Sequence, residues 1–291
     1  VKTGGLLAAA VLGGLLAAVP SFAAAAPFTL LYETDADADA GSELFVRSFA
    51  SLQDLIDGNK GAGSFSQVGI LATSSVAGMA FDPGGALHLL YEQDTDADAG
   101  AEFFVRSFAS LDDLIDGDKG AGSFSQLDIS GGFSVAGMSF DAAGMLHLLY
   151  ESETDADAGS ELFVRSFASL QDLIDGNNGP GSFSQLDILA TSSVAGMTFD
   201  ALGALHLLYE TETDAGAGSE LFVRSFASLD DLIDGNKGAG SVSQLDILAT
   251  SSVAGMTTPL DVSTVPEPAA LALFGLGLAC LAAAKGRRKM R

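Results

Sequence analysis

The sequence predicts an all-β protein, a four-bladed β-propeller. Three observations predict it: a 59-residue period, four short strand candidates in each period, and the phase at which the repeats start and stop. LLYE ends at Glu33, Glu92, Glu151 and Glu210, and FVRSF centres on Arg47, Arg106, Arg165 and Arg224. Self-similarity at a fixed spacing marks a repeat architecture. The four copies are nearly identical, so their identity reflects recent duplication and says little about function.

The strand candidates follow in order along each repeat. They are SVAGMTFD (193–200), ALHLLYE (204–210), ELFVRSF (220–226) and SVSQLDIL (241–248). All are rich in leucine, aromatic or β-branched residues and are bounded by turn signals. A glycine-containing tight turn joins the first two, as in FDPGGAL (81–87). Between the third and fourth, SLQDLIDGNKGAGS (51–64) sets Ser51 and Asp54 at capping-box spacing, and Gly58 can stop a single helical turn. Four antiparallel strands per unit define a propeller blade. Gly78 to Glu92, GMAFDPGGALHLLYE, also resembles the first two strands of NHL-type propeller blades.

The phase supplies an independent argument for a closed ring. The repeats begin at FTLLYE, a second strand, and end at SVAGM (252–256), a first strand. Three complete blades lie between, and the fourth is shared by the two ends of the array. A ring closed this way hides its strand edges. The alternative is a β-solenoid or a linear array of β-units.

Both flanks read as processing segments. Residues 1–26 hold one lysine, a long apolar run and a stretch of small residues, the pattern of a secretory signal. At the other end, Pro266, Glu267 and Pro268 precede an apolar run (269–284) and the basic cluster Lys285, Arg287, Arg288, Lys289 and Arg291. The run is just short of a membrane span of about 20 residues, and the basic cluster favours the cytoplasmic side. This tail resembles the PEP-CTERM sorting signal of Gram-negative bacteria. The resemblance implies an exported protein, held at the inner membrane until an exosortase cleaves near Pro266, Glu267 and Pro268. It also implies a final place at the cell surface or outside the cell, and an association with exopolysaccharide and biofilm. The expected organisation is a signal peptide (1–26), a propeller (27–262) and a sorting segment (263–291), with helical flanks.

Composition limits the partners. The sole cysteine, Cys280, lies in the tail, so disulfides cannot support the body. The chain has 38 acids and 13 bases. Setting aside Lys2, Glu267 and the five tail bases leaves 37 acids against 7 bases in the body. Such a body repels nucleic acid and attracts cations or basic partners.

The acids concentrate between the second and third strands, as in TDADADAGSE (34–43). The candidate Ca²⁺ ligands are Asp35, Asp37, Asp39 and Glu43, then Asp94, Asp96, Asp98 and Glu102. The third copy offers Asp155, Asp157 and Glu161, and the fourth Asp214 and Glu220, with Gly216 where an aspartate is expected. Alternation places the aspartates on one side of an extended segment, and Ca²⁺ takes six to eight oxygens. The spacing matches neither an EF-hand nor a glycine-rich calcium β-roll. A solvated acidic hairpin therefore stands beside the Ca²⁺ site as a reading, and no other cofactor is expected.

His88, His147 and His206 share one repeat position, with Thr29 in the first copy. On second strands they should pack between blades, spread away from the axis. The four FVRSF arginines, set among apolar residues, should find carboxylate partners. Near-identical repeats offer no unique nucleophile, base and orienter. The expectation is a non-enzymatic surface or matrix protein presenting an acidic face, with exopolysaccharide or surface proteins as partners. A lectin-like or Ca²⁺-binding propeller is the alternative.

Overall fold

The computed structural model describes residues 27–34, 42–58, 66–72, 75–94, 101–117, 124–127, 134–152, 160–176, 184–190, 193–211, 219–235, 242–249 and 252–260. These residues form four antiparallel four-stranded sheets in a ring, a four-bladed β-propeller. The expected helical flanks and the aspartate-bearing links lie outside the described residues.

The closing blade joins the two ends of the array. It contains β1 (Phe28–Thr34), β2 (Ser42–Phe49), the helical turn α1 (Leu52–Ile56) and β3 (Ser66–Ala72). The second blade is β4 (Ser75–Phe81), β5 (Leu87–Asp94), β6 (Ala101–Phe108), α2 (Leu111–Ile115) and β7 (Phe124–Gln126). The third is β8 (Ser134–Phe140), β9 (Leu146–Ser152), β10 (Ser160–Phe167), α3 (Leu170–Ile174) and β11 (Ser184–Ala190). The fourth is β12 (Ser193–Phe199), β13 (Leu205–Thr211), β14 (Ser219–Phe226), α4 (Leu229–Ile233) and β15 (Val242–Ala249). The last strand, β16 (Ser252–Thr257), becomes the inner strand of the closing blade, in the order β16-β1-β2-β3. Its pairing with β1, from Thr29 opposite Thr257 to Glu33 opposite Ser252, closes the ring as the repeat phase predicts.

Each blade interface has its own core. Leu30 packs toward Leu208 and Leu221 of the fourth blade, while its neighbour Leu31 packs toward Leu87 and Leu89 of the second. Successive strand residues point to opposite faces, and both faces are buried. That explains LLY, an unbroken apolar run where a half-exposed strand would alternate. The helical turns form as their spacing predicts. Ser51 Oγ accepts the Asp54 N–H at 3.1 Å and donates to Asp54 Oδ2 at 2.7 Å. Leu55 and its counterparts Leu114, Leu173 and Leu232 are fully buried.

The inner strands β4, β8, β12 and β16 meet around the axis at glycine. A Cβ at Gly78, Gly137, Gly196 or Gly255 would come within 2.8 to 3.1 Å of the next strand's methionine backbone nitrogen. A glycine inside a strand often marks such an approach.

Strand direction gives the ring two ends. β1 rises toward Glu33 and β2 descends from Glu43, as do their equivalents, so this is the glutamate end. The opposite end carries the first-to-second-strand turns and the four helical turns, so it is the helix end. Among the described residues the glutamate end holds eight glutamates and Asp94, and the helix end thirteen aspartates. Among the described residues, then, acidic side chains stand at both ends of the ring. Among the same residues no helix is long and apolar enough to cross a membrane.

Candidate functional site

The glutamate end carries the described part of the expected Ca²⁺ ligand set. Asp35, Asp37, Asp39, Asp96, Asp98, Asp155, Asp157 and Asp214 lie outside the described residues. Asp94 closes β5 opposite Ala101. Glu43, Glu102, Glu161 and Glu220 stand near the starts of β2, β6, β10 and β14. Glu43 Oε1 accepts from Gln67 Nε2 at 3.2 Å, and Glu102 Oε1 accepts from Gln126 Nε2 at 3.3 Å. These bonds tie the third strand of a blade to the fourth. Among the described residues no three His, Cys, Asp or Glu side chains converge as a metal site requires.

The strand-end glutamates bridge blades. Glu33 Oε2 accepts the Val76 N–H at 3.4 Å, and Glu210 Oε2 accepts the Val253 N–H at 3.4 Å. Glu92 Oε2 accepts from Ser134 Oγ at 3.3 Å. Each bond reaches from one blade's second strand to the next blade's inner strand. The sequence showed these glutamates as part of the acidic links, with no sign of this role.

At the helix end, three blades repeat one polar staple. His88 Nδ1 lies 2.7 Å from Ser107 Oγ, and His88 Nε2 lies 3.4 Å from Asp82 Oδ2. His147 joins Ser166 and Asp141 in the same way, and His206 joins Ser225 and Asp200. The other aspartate oxygen holds the tight turn. Asp200 Oδ1 accepts the N–H groups of Leu202 and Ala204 at 2.8 and 2.9 Å. Each imidazole also meets the next blade's phenylalanine: His88 on Phe140, His147 on Phe199 and His206 on Phe28. The histidines thus pack between blades, as their strand position predicts. In the closing blade the chain leaves after β16 and makes no such turn. Thr29 takes the histidine position there and bonds Ser48 at 3.2 Å. The aspartates six residues before each histidine are the sequence signal for the staple.

The staple sets an acid limit on stability. Burial lowers the His88 pKa from 6.5, against the opposing pull of Asp82. Burial raises Asp141 and Asp200, but hydrogen bonds from their histidines and from turn N–H groups outweigh it and hold both below 3.8. For His88 the fold favours the neutral ring, so stability falls as pH drops below 6.5. For the aspartates it favours the carboxylate, so a further loss follows below 3.8. Melting temperature of residues 27–260, measured in high salt to screen carboxylate repulsion, is expected to show both losses. His88→Thr, which copies Thr29, should reduce the upper one; an unchanged slope there would reject the assignment.

The arginines sit on aromatic rings, and among the described residues none forms the expected carboxylate pair. Each guanidinium lies 5.2 to 5.3 Å from the ring centroid of the phenylalanine two residues on, Phe49, Phe108, Phe167 or Phe226. A cation over such a ring gains roughly 0.5–2 kcal/mol. Beside each arginine the hydroxyl of Tyr32, Tyr91, Tyr150 or Tyr209 is buried, near the guanidinium but with no well-aligned hydrogen bond among the described residues, and Nε and Nη2 of Arg224 are buried likewise. Burial pushes all four phenols up, with Tyr91 and Tyr150 at about 12, despite the lowering effect of the adjacent arginines. These are the protein's only tyrosines, and it has no tryptophan, so ultraviolet titration reads them cleanly. At pH 10.0, the ordinary value, Tyr91 and Tyr150 should stay almost wholly neutral in the folded protein, Tyr32 and Tyr209 should ionise less than free phenols, and phenolate should rise at that pH on unfolding. Because the raised pKa favours the neutral phenol, stability should fall as pH climbs from 10.0 toward 12. Ordinary phenolate titration in the folded state would contradict the burial.

Residues 264–289 match the family model of the PEP-CTERM protein-sorting motif. The chain carries a PEP-CTERM sorting motif. Pro266, Glu267 and Pro268 fall within the match and outside the described residues. The motif implies an exported protein, anchored at the membrane before processing by an exosortase. No curated protein matches the chain.

Proposed function

We propose that this PEP-CTERM protein is a non-enzymatic component of the bacterial cell surface or extracellular matrix. In this reading the exosortase releases a highly anionic propeller, whose carboxylates meet cations, exopolysaccharide or basic surface proteins. The sorting motif beside a body of 37 acids and 7 bases carries the reading. The Asp–His–Ser sets do not favour hydrolysis. Each histidine is no more than 4 % exposed and packed tilted or edge-on against a phenylalanine of the neighbouring blade, and the aspartate also holds a turn. A catalytic group needs access to substrate; these sets fasten strands.

Ca²⁺ is the cation whose specific binding can be tested directly. Extracellular modules bind it in the millimolar range. Melting of residues 27–260 is expected to rise more in millimolar Ca²⁺ than in Mg²⁺ at equal ionic strength. A ligand at ten times its Kd adds about 1.4 kcal/mol per site. Equal curves for the two ions would reject specific Ca²⁺ sites at the links between second and third strands. Glycan-array binding with a defined sugar preference, lost on changing one link, would favour a lectin-like module over a diffuse carboxylate surface.

A further inference from the structure

The topology fixes where the sorting tail leaves the ring. β16 runs from Ser252 at the glutamate end to Thr257 at the helix end, next to the axis. Thr258 follows buried, and Leu260 packs into the core between the second and third blades, against the group containing Ala80 and Leu146. The chain thus crosses beneath the inner strands at the helix end before the described residues stop. The other end of the array arrives on the same side, because Phe28 is the helix-end residue of β1, beside Thr29 opposite Thr257.

Length limits what the tail permits. Nine residue steps separate Leu260 from Ala269, where the apolar run begins. Fully extended they span about 30 Å. An inner strand of seven residues is about 24 Å long. To reach the glutamate end the leash must first cross the width of a four-stranded blade, about 14 Å, and then a strand length, about 38 Å in all, so it is too short to turn the ring over. The turn tips around the exit are apolar or small: Pro83 with Gly84, Ala142 with Ala143, and Ala201 with Leu202, which is 93 % exposed. Asp82, Asp141 and Asp200 stand in these turns, and the other ten helix-end aspartates lie farther out, on and beside α1 to α4; all oppose close approach to anionic lipid.

We propose that the propeller stands with its helix end toward the membrane while the tail is in place, and points its glutamate end away. This rests on the reading that the tail anchors the chain. The sorting cut then falls beneath the ring's axis, and the processing enzyme meets the helix end. The glutamate end stays accessible to soluble ions and polymer before release as well as after it. Removal of the tail beyond Leu260 leaves β16 and the ring closure untouched.

The test places one label at each end of the same blade. Leu202→Cys marks the helix end, and Ser193→Cys marks the exposed start of β12 at the glutamate end. Both carry Cys280→Ala, which removes the natural thiol. The full chain is produced in a host without an exosortase and reconstituted in phosphatidylcholine vesicles with a headgroup-attached quencher in both leaflets. Fluorescence should be lost from the label at position 202 and retained at position 193. Equal quenching, or the reverse order, overturns the orientation while leaving anchoring intact. A full chain that fails to join the vesicles refutes anchoring, and the orientation with it. A chain ending at Leu260 should stay off the vesicles; if it binds them as well as the full chain does, the body and not the tail sets the approach.

Discussion

A body ending at Ala249 is expected to lose its cooperative thermal transition, whereas one ending at Leu260 should melt as a single unit. The shorter chain lacks β16, the inner strand of the closing blade. Met256 is fully buried, and Val253, Thr257 and Thr258 are nearly so. Losing a buried methionine side chain alone costs about 2–5 kcal/mol. The shorter chain also loses the β1 ladder, the Val253 N–H bond to Glu210 and the Thr257 bond to the Phe81 N–H. A domain has only about 5–15 kcal/mol to lose. Removing β16 also bares an edge of β1, which then invites pairing with another chain. Calorimetry and size-exclusion chromatography should show a broad transition and oligomers for the shorter chain. A sharp transition near that of the longer chain would mean that the ring does not depend on the shared blade.

How much of this was legible follows from what a repeat reveals. A period of 59 residues with strand-sized apolar segments gives the blade, and the phase of FTLLYE and SVAGM gives the closure. Both are properties along the chain. The helical turn at Ser51 was legible for the same reason, since its cap is three residues away. Contacts across a blade interface are not local. Glu33 looks like one more acid in a charged link, and only the approach of β4 shows that it holds the Val76 N–H. The arginines were expected to seek carboxylates, because a buried cation needs compensation. The alternation of side chains along β2 instead sets Arg47 on the same face as Phe49, and the ring supplies the contact. The acidic segments drew notice by their density, whereas the thirteen aspartates of the helix end are gathered only once the turns and helices are placed. The Ca²⁺ reading of Asp35, Asp37, Asp39 and their repeats lies outside the described residues and rests on composition alone.

Gly196→Ala is expected to destabilise the ring far more than Gly203→Ala, although both add a single methyl group. Gly203 has φ +82° and open space where a Cβ would go. Alanine there meets only backbone strain, about 1 kcal/mol. Gly196 carries no such strain, but a Cβ would sit 2.8 Å from the Met256 backbone nitrogen and 3.1 Å from its Cβ. The obstacle is the neighbouring inner strand, which cannot turn aside as a side-chain end does. That strand is in turn held by the next glycine, Gly255, against Met79. One methyl group at Gly196 therefore pushes on a closed circle of four strands. Overpacking typically costs 1–3 kcal/mol, and this site has no slack, so about 3 kcal/mol is expected from denaturant titration. The direction of the effect also separates the closed ring from an open array. In a solenoid the added methyl could be absorbed by a small change of pitch at one junction, and the two glycine variants would then differ little. In a ring the four displacements must sum to zero, so strain at one junction returns through the other three. Comparable losses at Gly196 and Gly203 would count against the closed ring.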